Sequence, residues 1–219
     1  MRKTYYSMAT EGRTAQINIF GDITSWPWLE SDVSSYTLQR QIQDLDVDTI
    51  EVHINSYGGE VGEALAITNA LLRHPAKVNT YVDGFACSAA TIVFMAGEKR
   101  VMSSLSNFMV HPAWANVTGN ADELRKQADD LDRVTENSIT AYLSRINRSR
   151  EELIALMREE RFLTPSEAVA WGFATEIEDV LATDKAEQDV TRKVFELLHG
   201  TPEPRKEPTY LDKFINAFT

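Results

Sequence analysis

The stretch Gly84-Phe85-Ala86-Cys87-Ser88-Ala89-Ala90 sets a serine among small residues at a predicted strand-to-helix junction. That is where a nucleophile can work. Small neighbours let a substrate backbone reach the hydroxyl, and a helix start offers unpaired N–H groups to a developing anion. A serine here is also an ordinary helix N-cap, and the stretch taken alone favours that reading. His111 closes the apolar run Phe108-Met109-Val110, and an imidazole with a pKa near neutrality is suited to moving protons. A lone histidine is nevertheless more often structural. His53 lies inside an alternating strand, His74 precedes Pro75 at a helix end, and His199 ends a tail helix; none has a partner at metal-ligand spacing. Gly58-Gly59, between a strand and a helix, would leave the following backbone N–H groups open to an acyl-transfer oxyanion, or would simply make a turn. As a nucleotide loop it is poor, because neither GxxxxGKS/T nor a complete GxGxxG is present.

These residues need elements to hold them. Gln16 to Phe20 alternates as a half-buried strand and stops at Gly21-Asp22; Trp26-Pro27-Trp28 then forms a loop. A helix is predicted over Ser31 to Leu45, with Ser31 or Asp32 as cap. Ile50, Val52 and Ile54 mark a second strand, which breaks at Asn55 to Gly59 before a helix over Glu60 to Arg73. The unit recurs: Val78 to Val82 is a strand, Gly84 turns the chain, and Ser88 to Ala96 is a short apolar helix. Repeated βα units imply a parallel sheet. Short strands are expected over Lys99 to Met102 and Asn107 to Val110. Helices are expected over Ala121 to Ile146 and Ser149 to Glu160, the latter with a Ser149-x-x-Glu152 capping box, and a short one opens at Pro165 and runs through Val169.

The bulk properties narrow the function. At 219 residues the chain suits one main domain plus an appendage. Apolar residues make up 43% and charged ones 25%, an ordinary globular balance. A net charge of −11 disfavours a surface built to collect nucleic-acid phosphates or anionic lipid, so neither nucleic acid nor a membrane is an expected partner. Cys87 is the only cysteine, which rules out an intrachain disulfide and a multi-cysteine metal cluster and fits a reducing compartment. Without a signal-like apolar run or an apolar stretch of spanning length, a cytoplasmic location is expected. The main domain ends near Ile177 to Leu181. Beyond it, Asp184 to His199 has helical spacing, residues 200–208 form a proline-rich charged linker, and Tyr210 to Phe218 could dock weakly on a partner or on the parent domain.

Four ordered stretches carry a resemblance. They are Ile54-Asn55-Ser56-Tyr57-Gly58-Gly59, Gly84 to Ala90, Met109-Val110-His111-Pro112, and Arg161-Phe162-Leu163-Thr164-Pro165-Ser166-Glu167-Ala168-Val169 followed by Gly172. From about Ala15 to Leu181 the chain resembles the Clp protease proteolytic subunit, ClpP, and within that superfamily the ClpP-related phage and prophage proteases that mature the viral head. The resemblance implies an α/β fold: a ClpP/crotonase-type spiral of βα units with a protruding handle helix, here Ala121 to Ile146, and a C-terminal helical and linker tail. It implies three segments: an N-terminal one over 1–14, a ClpP-like peptidase domain over 15–181, and a tail over 182–219. It further implies that Ser88 is the nucleophile, His111 its general base, and the backbone N–H groups of Gly59 and Ala89 the oxyanion donors. The family's third member is an aspartate directly before the Arg-Phe-Leu run, where this chain has Glu160; glutamate also orients histidine in some serine hydrolases. Asp129, Asp130 and Asp132 are the fallback acids. Neither a metal nor an organic cofactor is implied.

The family's partners are polypeptide substrates and further copies of itself in a ring, a heptamer or stacked rings. Several departures bear on this. Tyr57 replaces the family's usual proline, and Glu60 puts a carboxylate beside the oxyanion cradle, tolerable only if its side chain points away. Glu159 stands where many relatives have an arginine that registers two rings, so stacking is not carried over. The first strand begins by Gln16, without the longer hairpin and helix that engage a Clp-type ATPase, so dependence on such an ATPase is not carried over either. The tail, outside the resemblance, could target a scaffold or be self-cleaved, and the resemblance to phage proteases implies the bacterial host cytoplasm or the phage prohead as its location. The same fold serves acyl-CoA hydratases and isomerases, and a catalytically inactive ring subunit would share the sequence pattern, so fold alone does not settle function. Cys87 could be read as a nucleophile, but Ser88 carries the motif's register and a buried thiol is the plainer assignment.

Overall fold

The computed structural model describes residues 7–29 and 31–181. Residues Met1–Val180 and Leu181–Thr219 form two separate units, and of the second only Leu181 is described. The expected tail helix with His199, the proline-rich linker and the Tyr210 to Phe218 segment lie outside the described residues.

Strict alternation in three segments builds the centre of a seven-stranded sheet. In β2 (Thr14–Ile19), β3 (Thr49–Ser56) and β4 (Lys77–Cys87), parallel pairing aligns Ala15, Ile50 and Val78, then Ile17, Val52 and Thr80, then Ile19, Ile54 and Val82. All nine are buried, and each apolar side chain as large as valine contributes about 1.5–3 kcal/mol by leaving water. A one-residue slip of any strand would turn this row toward solvent, so the alternation fixes the register. The other face carries Gln16, Asn18, Glu51, His53, Tyr81 and Asp83.

The remaining strands complete the order β1-β2-β3-β4-β5-β7, with β6 paired to β4. Here β1 is Ser7–Glu11, β5 Lys99–Ser103, β6 Asn107–Met109 and β7 Glu176–Glu178. Of these seven strands, only β1 pairs antiparallel. It corrects the expectation that the first strand begins by Gln16: Ser-Met-Ala-Thr-Glu has no clear alternation to announce a strand, yet it pairs with β2 across a tight turn at Gly12, whose φ of 59° suits glycine.

Helix α1 (Ser35–Gln43) starts later than predicted. Its cap is Ser34, whose hydroxyl accepts from Thr37 N–H, while Asp32 instead accepts from the N–H groups of Trp28 and Leu29. Helices α2 (Val61–Arg73) and α3 (Ala89–Phe94) follow β3 and β4. Gly84, expected to turn the chain, lies inside β4. Between Ile54/Val82 and Ser56/Ala86 the β3–β4 register shifts, and a Cβ on Gly84 would meet Asn55 Oδ1 at 2.6 Å. Asn55 Oδ1 accepts from Phe85 N–H at 3.1 Å across this irregularity. The bend lets β4 pair with β5 through Val82 and with β6 from Phe85 onward, and so delivers Ser88 to the sheet's end.

Helix α4 (Ala121–Leu143) has 23 residues and starts at an Asn120 and Glu123 capping box. At 1.5 Å per residue it is roughly 34 Å long. Its buried residues, Ser138, Ile139 and Tyr142, all lie near its C-terminal end, so its exposed N-terminal turns make the protruding handle of an α/β spiral. Tyr142 anchors it, with its hydroxyl 2.7 Å from Thr91 Oγ1 of α3. The predicted Ser149 and Glu152 capping box opens α5 (Arg150–Glu159), and Thr164 with Glu167 forms another at α6 (Pro165–Trp171).

Candidate active site

Ser88 occupies the N-cap position of α3, yet its side chain makes no capping bond. Its backbone lies at φ 53° and ψ −128°, a region that residues with side chains seldom adopt. Neighbours hold it there: Ser88 N–H donates to Met109 C=O at 2.9 Å, and Ser88 C=O accepts from Thr91 N–H at 3.0 Å and from the Thr91 hydroxyl. A serine that only capped a helix would spend its hydroxyl on the cap and would not need the strain. The bond to Met109 also ties the Ser88 backbone to a residue two positions before His111.

The turn before α2 reaches Ser88 from the other side. Gly58 and Gly59 have φ values of 105° and 138°. A Cβ on Gly58 would meet Cys87 O at 2.6 Å, Ser88 Cβ at 2.7 Å and Ala89 N at 2.9 Å, so this approach requires glycine. Gly58 N–H is spent on Ser56 Oγ, which in turn donates to Gly21 C=O. Gly59 and Ala89 are the expected oxyanion donors. Among the described residues neither of their N–H groups has an acceptor, and the α3 N-terminus adds its partial positive charge beside Ala89.

Ser88, His111 and Gly59 line one open cleft of about 600 Å³ with Asp22, Ile23, Tyr57, Glu60, Trp114, Leu131 and Val134 among its walls. The walls are largely apolar, and α4 supplies Leu131 and Val134 from its half-buried face. Sequence reasoning did not assign Asp22, Trp114, Leu131 or Val134 to this cleft, and only the closeness of Trp114 to His111 hinted at it. Tyr57, in place of the family's proline, stacks on Phe85 at 5.1 Å, and Phe85 meets Phe162 edge-on at 5.9 Å. The three rings connect the glycine turn, the Ser88 strand and the segment following Glu160.

Glu160 is not in the cleft lining. It is exposed and ends α5 with φ 51° and ψ 29°, the left-handed conformation of a helix C-terminus. Its segment nevertheless runs beside that of His111: Phe108 and Leu163 exchange backbone hydrogen bonds of 3.1 and 2.7 Å in an antiparallel bridge. Counting three residues outward from that bridge in each direction reaches His111 and Glu160. Among the described residues no hydrogen bond joins the two. Asp129, Asp130 and Asp132 do not line the cleft either; Asp130 accepts from Arg133, and Asp132 faces a separate groove between α4 and α5. Glu159 is engaged by Arg161 at 2.9 Å.

Cys87 is 1% exposed, and burial pushes its thiol up to about 11, which leaves almost no thiolate at neutral pH. The Glu60 carboxylate is spent on the loop after Ile23: Oε1 accepts from Thr24 Oγ1, Ser25 N–H and Ser25 Oγ. Its partial burial opposes ionisation, but these hydrogen bonds outweigh that and hold the carboxyl below its ordinary value. Among the described residues no cluster of His, Cys, Asp and Glu is arranged to hold a metal, and no helix is long and apolar enough to cross a membrane.

The Clp protease family profile matches residues 32–180, more than half of the chain. This chain belongs to the Clp protease family. Two curated relatives, both described as an ATP-dependent Clp protease proteolytic subunit, are 30% identical over 132 residues (Deinococcus radiodurans) and 29% identical over 130 residues (Borreliella afzelii). The matches cover 59% and 58% of this chain but 65% and 66% of those proteins, so the chain spans just under two thirds of their length. A mutant of ClpP1 from Listeria monocytogenes superimposes with a TM-score of 0.64 at 23% identity, over 76% of this chain and 91% of that one. That likeness establishes the shared α/β fold.

Proposed function

We propose that this protein is a serine endopeptidase that cleaves polypeptides through Ser88, His111 and Glu160. The observation that carries the reading is Ser88 itself: strained, uncapped and set in one cleft with Gly59 and His111. His111 takes the Ser88 proton as the hydroxyl oxygen bonds to the scissile carbonyl carbon. The carbonyl electron pair moves onto oxygen, where the Gly59 and Ala89 N–H groups stabilise it. Collapse expels the amine, which takes the proton from His111 and leaves an acyl-enzyme on Ser88. Water, deprotonated by His111, then releases the acyl group and restores the serine. Glu160 orients the imidazole, a role supported by the Phe108–Leu163 bridge that brings the segment after α5 beside the one leading to His111; such bonds are often long in apo proteins and tighten with substrate.

The substrates are capsid or scaffold proteins of a phage or prophage, as the resemblance to head maturation proteases suggests, and the working form is a ring of identical subunits. The curated relatives favour a second reading, a proteolytic subunit working with a Clp ATPase, since both carry "ATP-dependent" in their description. Peptide cleavage assays on wild-type protein and Ser88→Ala, each with and without a Clp ATPase and ATP, test both readings. Cleavage by Ser88→Ala at the wild-type rate contradicts the endopeptidase mechanism. Cleavage of folded protein that requires ATPase and ATP selects the second reading over the first.

A further inference from the structure

We infer that Glu60 is a positioning residue for the oxyanion turn, fastening a strap of chain over the glycine pair so that the Gly59 N–H stays turned to Ser88. The inference rests on the proposed role of Ser88 and adds a residue to that site. Residues Asp22 to Ser25 cross the turn as the strap. Ile23 bridges Gly59 in parallel fashion: Ile23 N–H donates to Gly58 C=O and Glu60 N–H donates to Ile23 C=O, both at 2.8 Å. The bridge therefore uses the groups on either side of the Gly59 N–H and leaves that N–H on the opposite edge. Contact is close enough that a Cβ on Gly59 would lie 2.1 Å from Ile23 O.

Along its other edge the strap is anchored by the buried Ile23 side chain and by Val33, with Thr24 N–H donating to Val33 C=O and Val33 N–H to Asp22 C=O, both at 2.8 Å; toward the glycine turn the two bonds just named contribute about 1 kcal/mol each. The Glu60 carboxylate reinforces them from the same residue that donates to Ile23. One oxygen accepts from Thr24 Oγ1 at 2.9 Å, Ser25 N–H at 3.0 Å and Ser25 Oγ at 2.9 Å, and charge-assisted bonds are roughly twice as strong as neutral ones. Glu60 is also the N-cap residue of α2, but its side chain makes no capping bond there, so it is committed to the strap. The next acid of α2 acts alike: Glu63 accepts from Ser35 N–H at 2.6 Å, at the far end of the loop that the strap begins. Loss of the Glu60 clamp would let the Thr24–Ser25 end of the strap part from residue 60 while burial and Val33 keep Ile23 in place, leaving the Gly58–Glu60 backbone with fewer restraints against rotation. An oxyanion donor works only when already aimed, and a misplacement near 1 Å can cost about a hundredfold in rate.

The test compares Glu60→Ala and Glu60→Gln with wild type in two ways. Hydrogen exchange of peptides spanning residues 20–26 and 56–62 reads the fastening without needing activity. Glu60→Ala is expected to exchange at least about tenfold faster in both peptides, and Glu60→Gln, whose amide oxygen still accepts, much less so. Steady-state cleavage and the rate of fluorophosphonate labelling read the consequence. For Glu60→Ala, kcat and labelling are expected to fall by about ten- to a hundredfold with KM within about twofold, and Glu60→Gln to recover most of the rate. Unchanged exchange in Glu60→Ala overturns the inference. So does faster exchange with kcat preserved, or a loss confined to KM. If Ser88→Ala labels and cleaves as wild type does, the endopeptidase reading fails instead, and the exchange result still decides the clamp.

Discussion

Among the described residues, Ser88 and Glu160 are the non-glycine positions with positive φ, 53° and 51°, and both stand at helix ends. They differ in ψ and in surroundings. At ψ 29° Glu160 adopts a conformation that ends many helices at small cost, and it does so in solvent. At ψ −128° Ser88 sits in a rarer region between buried Cys87 and Ala89, with its backbone N–H and C=O both engaged. Strain of the second kind costs about 1–3 kcal/mol and persists only where neighbours impose it, which is typical of a functional position. The two proposed members of the triad thus differ in support: the backbone itself singles out Ser88, whereas Glu160 rests on the Phe108–Leu163 bridge that brings its segment beside that of His111.

Substitutions at the strained serine should have the greatest consequence. Ser88→Ala should lower kcat/KM by about 10⁴-fold or more. Ser88→Gly should be equally inactive but more stable, by up to about 1–3 kcal/mol, because glycine relieves the φ and ψ that serine is forced to hold. A urea midpoint at or below that of wild type would show that Ser88 carries no strain.

On the other side, Glu160→Gln should reduce kcat by about a hundredfold without loss of stability, an effect smaller than removal of the nucleophile. Glu160→Gly should show the same rate loss while gaining about 0.5–1 kcal/mol, since glycine adopts the left-handed conformation freely. If both variants cleave at the wild-type rate, Glu160 is a helix end and nothing more.

Cys87 sharpens the assignment at the residue next to Ser88. With its buried thiol raised to about 11, it should resist iodoacetamide at pH 7.5 in the folded protein and react promptly in urea. Rapid alkylation of the native protein would reopen a cysteine mechanism.

The smallest effect lies on the opposite sheet face. His53 Nδ1 lies 3.0 and 3.2 Å from the carboxylate oxygens of Asp83, and the ring stacks on Tyr81 at 4.7 Å. The Asp83 hydrogen bond raises the His53 pKa against the opposing effect of burial. The pair's contribution should therefore be fully present below the unfolded value of about 6.5 and vanish as pH rises through the higher folded value. Thermal midpoints of wild type and Asp83→Asn should differ most near pH 5.5 and converge by about pH 9. A gap that widens with pH would contradict this sign.

Local patterns made much of this architecture legible. Ile50, Val52 and Ile54 gave the strand that enters the glycine turn, and Ser149 with Glu152 marked a capping box where one exists. Ser88 and His111 stand at element ends, where short-range signals are strongest, and the family resemblance supplied their pairing. What stayed hidden depends on distant partners. Gly84 looks like a turn until Asn55 fills the space that its missing Cβ leaves, and the cap falls at Ser34 while the Asp32 carboxylate is engaged by the N–H groups of Trp28 and Leu29. Glu60 looked like an obstacle beside the cradle; its role depends on Thr24 and Ser25, 36 and 35 residues earlier in the chain.

Whether Ser88 is an activated nucleophile is read out by intact-mass analysis after treatment with a serine-directed fluorophosphonate. Wild type, Ser88→Ala and Cys87→Ala are labelled in parallel as folded protein. One adduct is expected on wild type and on Cys87→Ala, and none on Ser88→Ala. An adduct that survives in Ser88→Ala, or folded wild-type protein that takes up no label, would contradict that role.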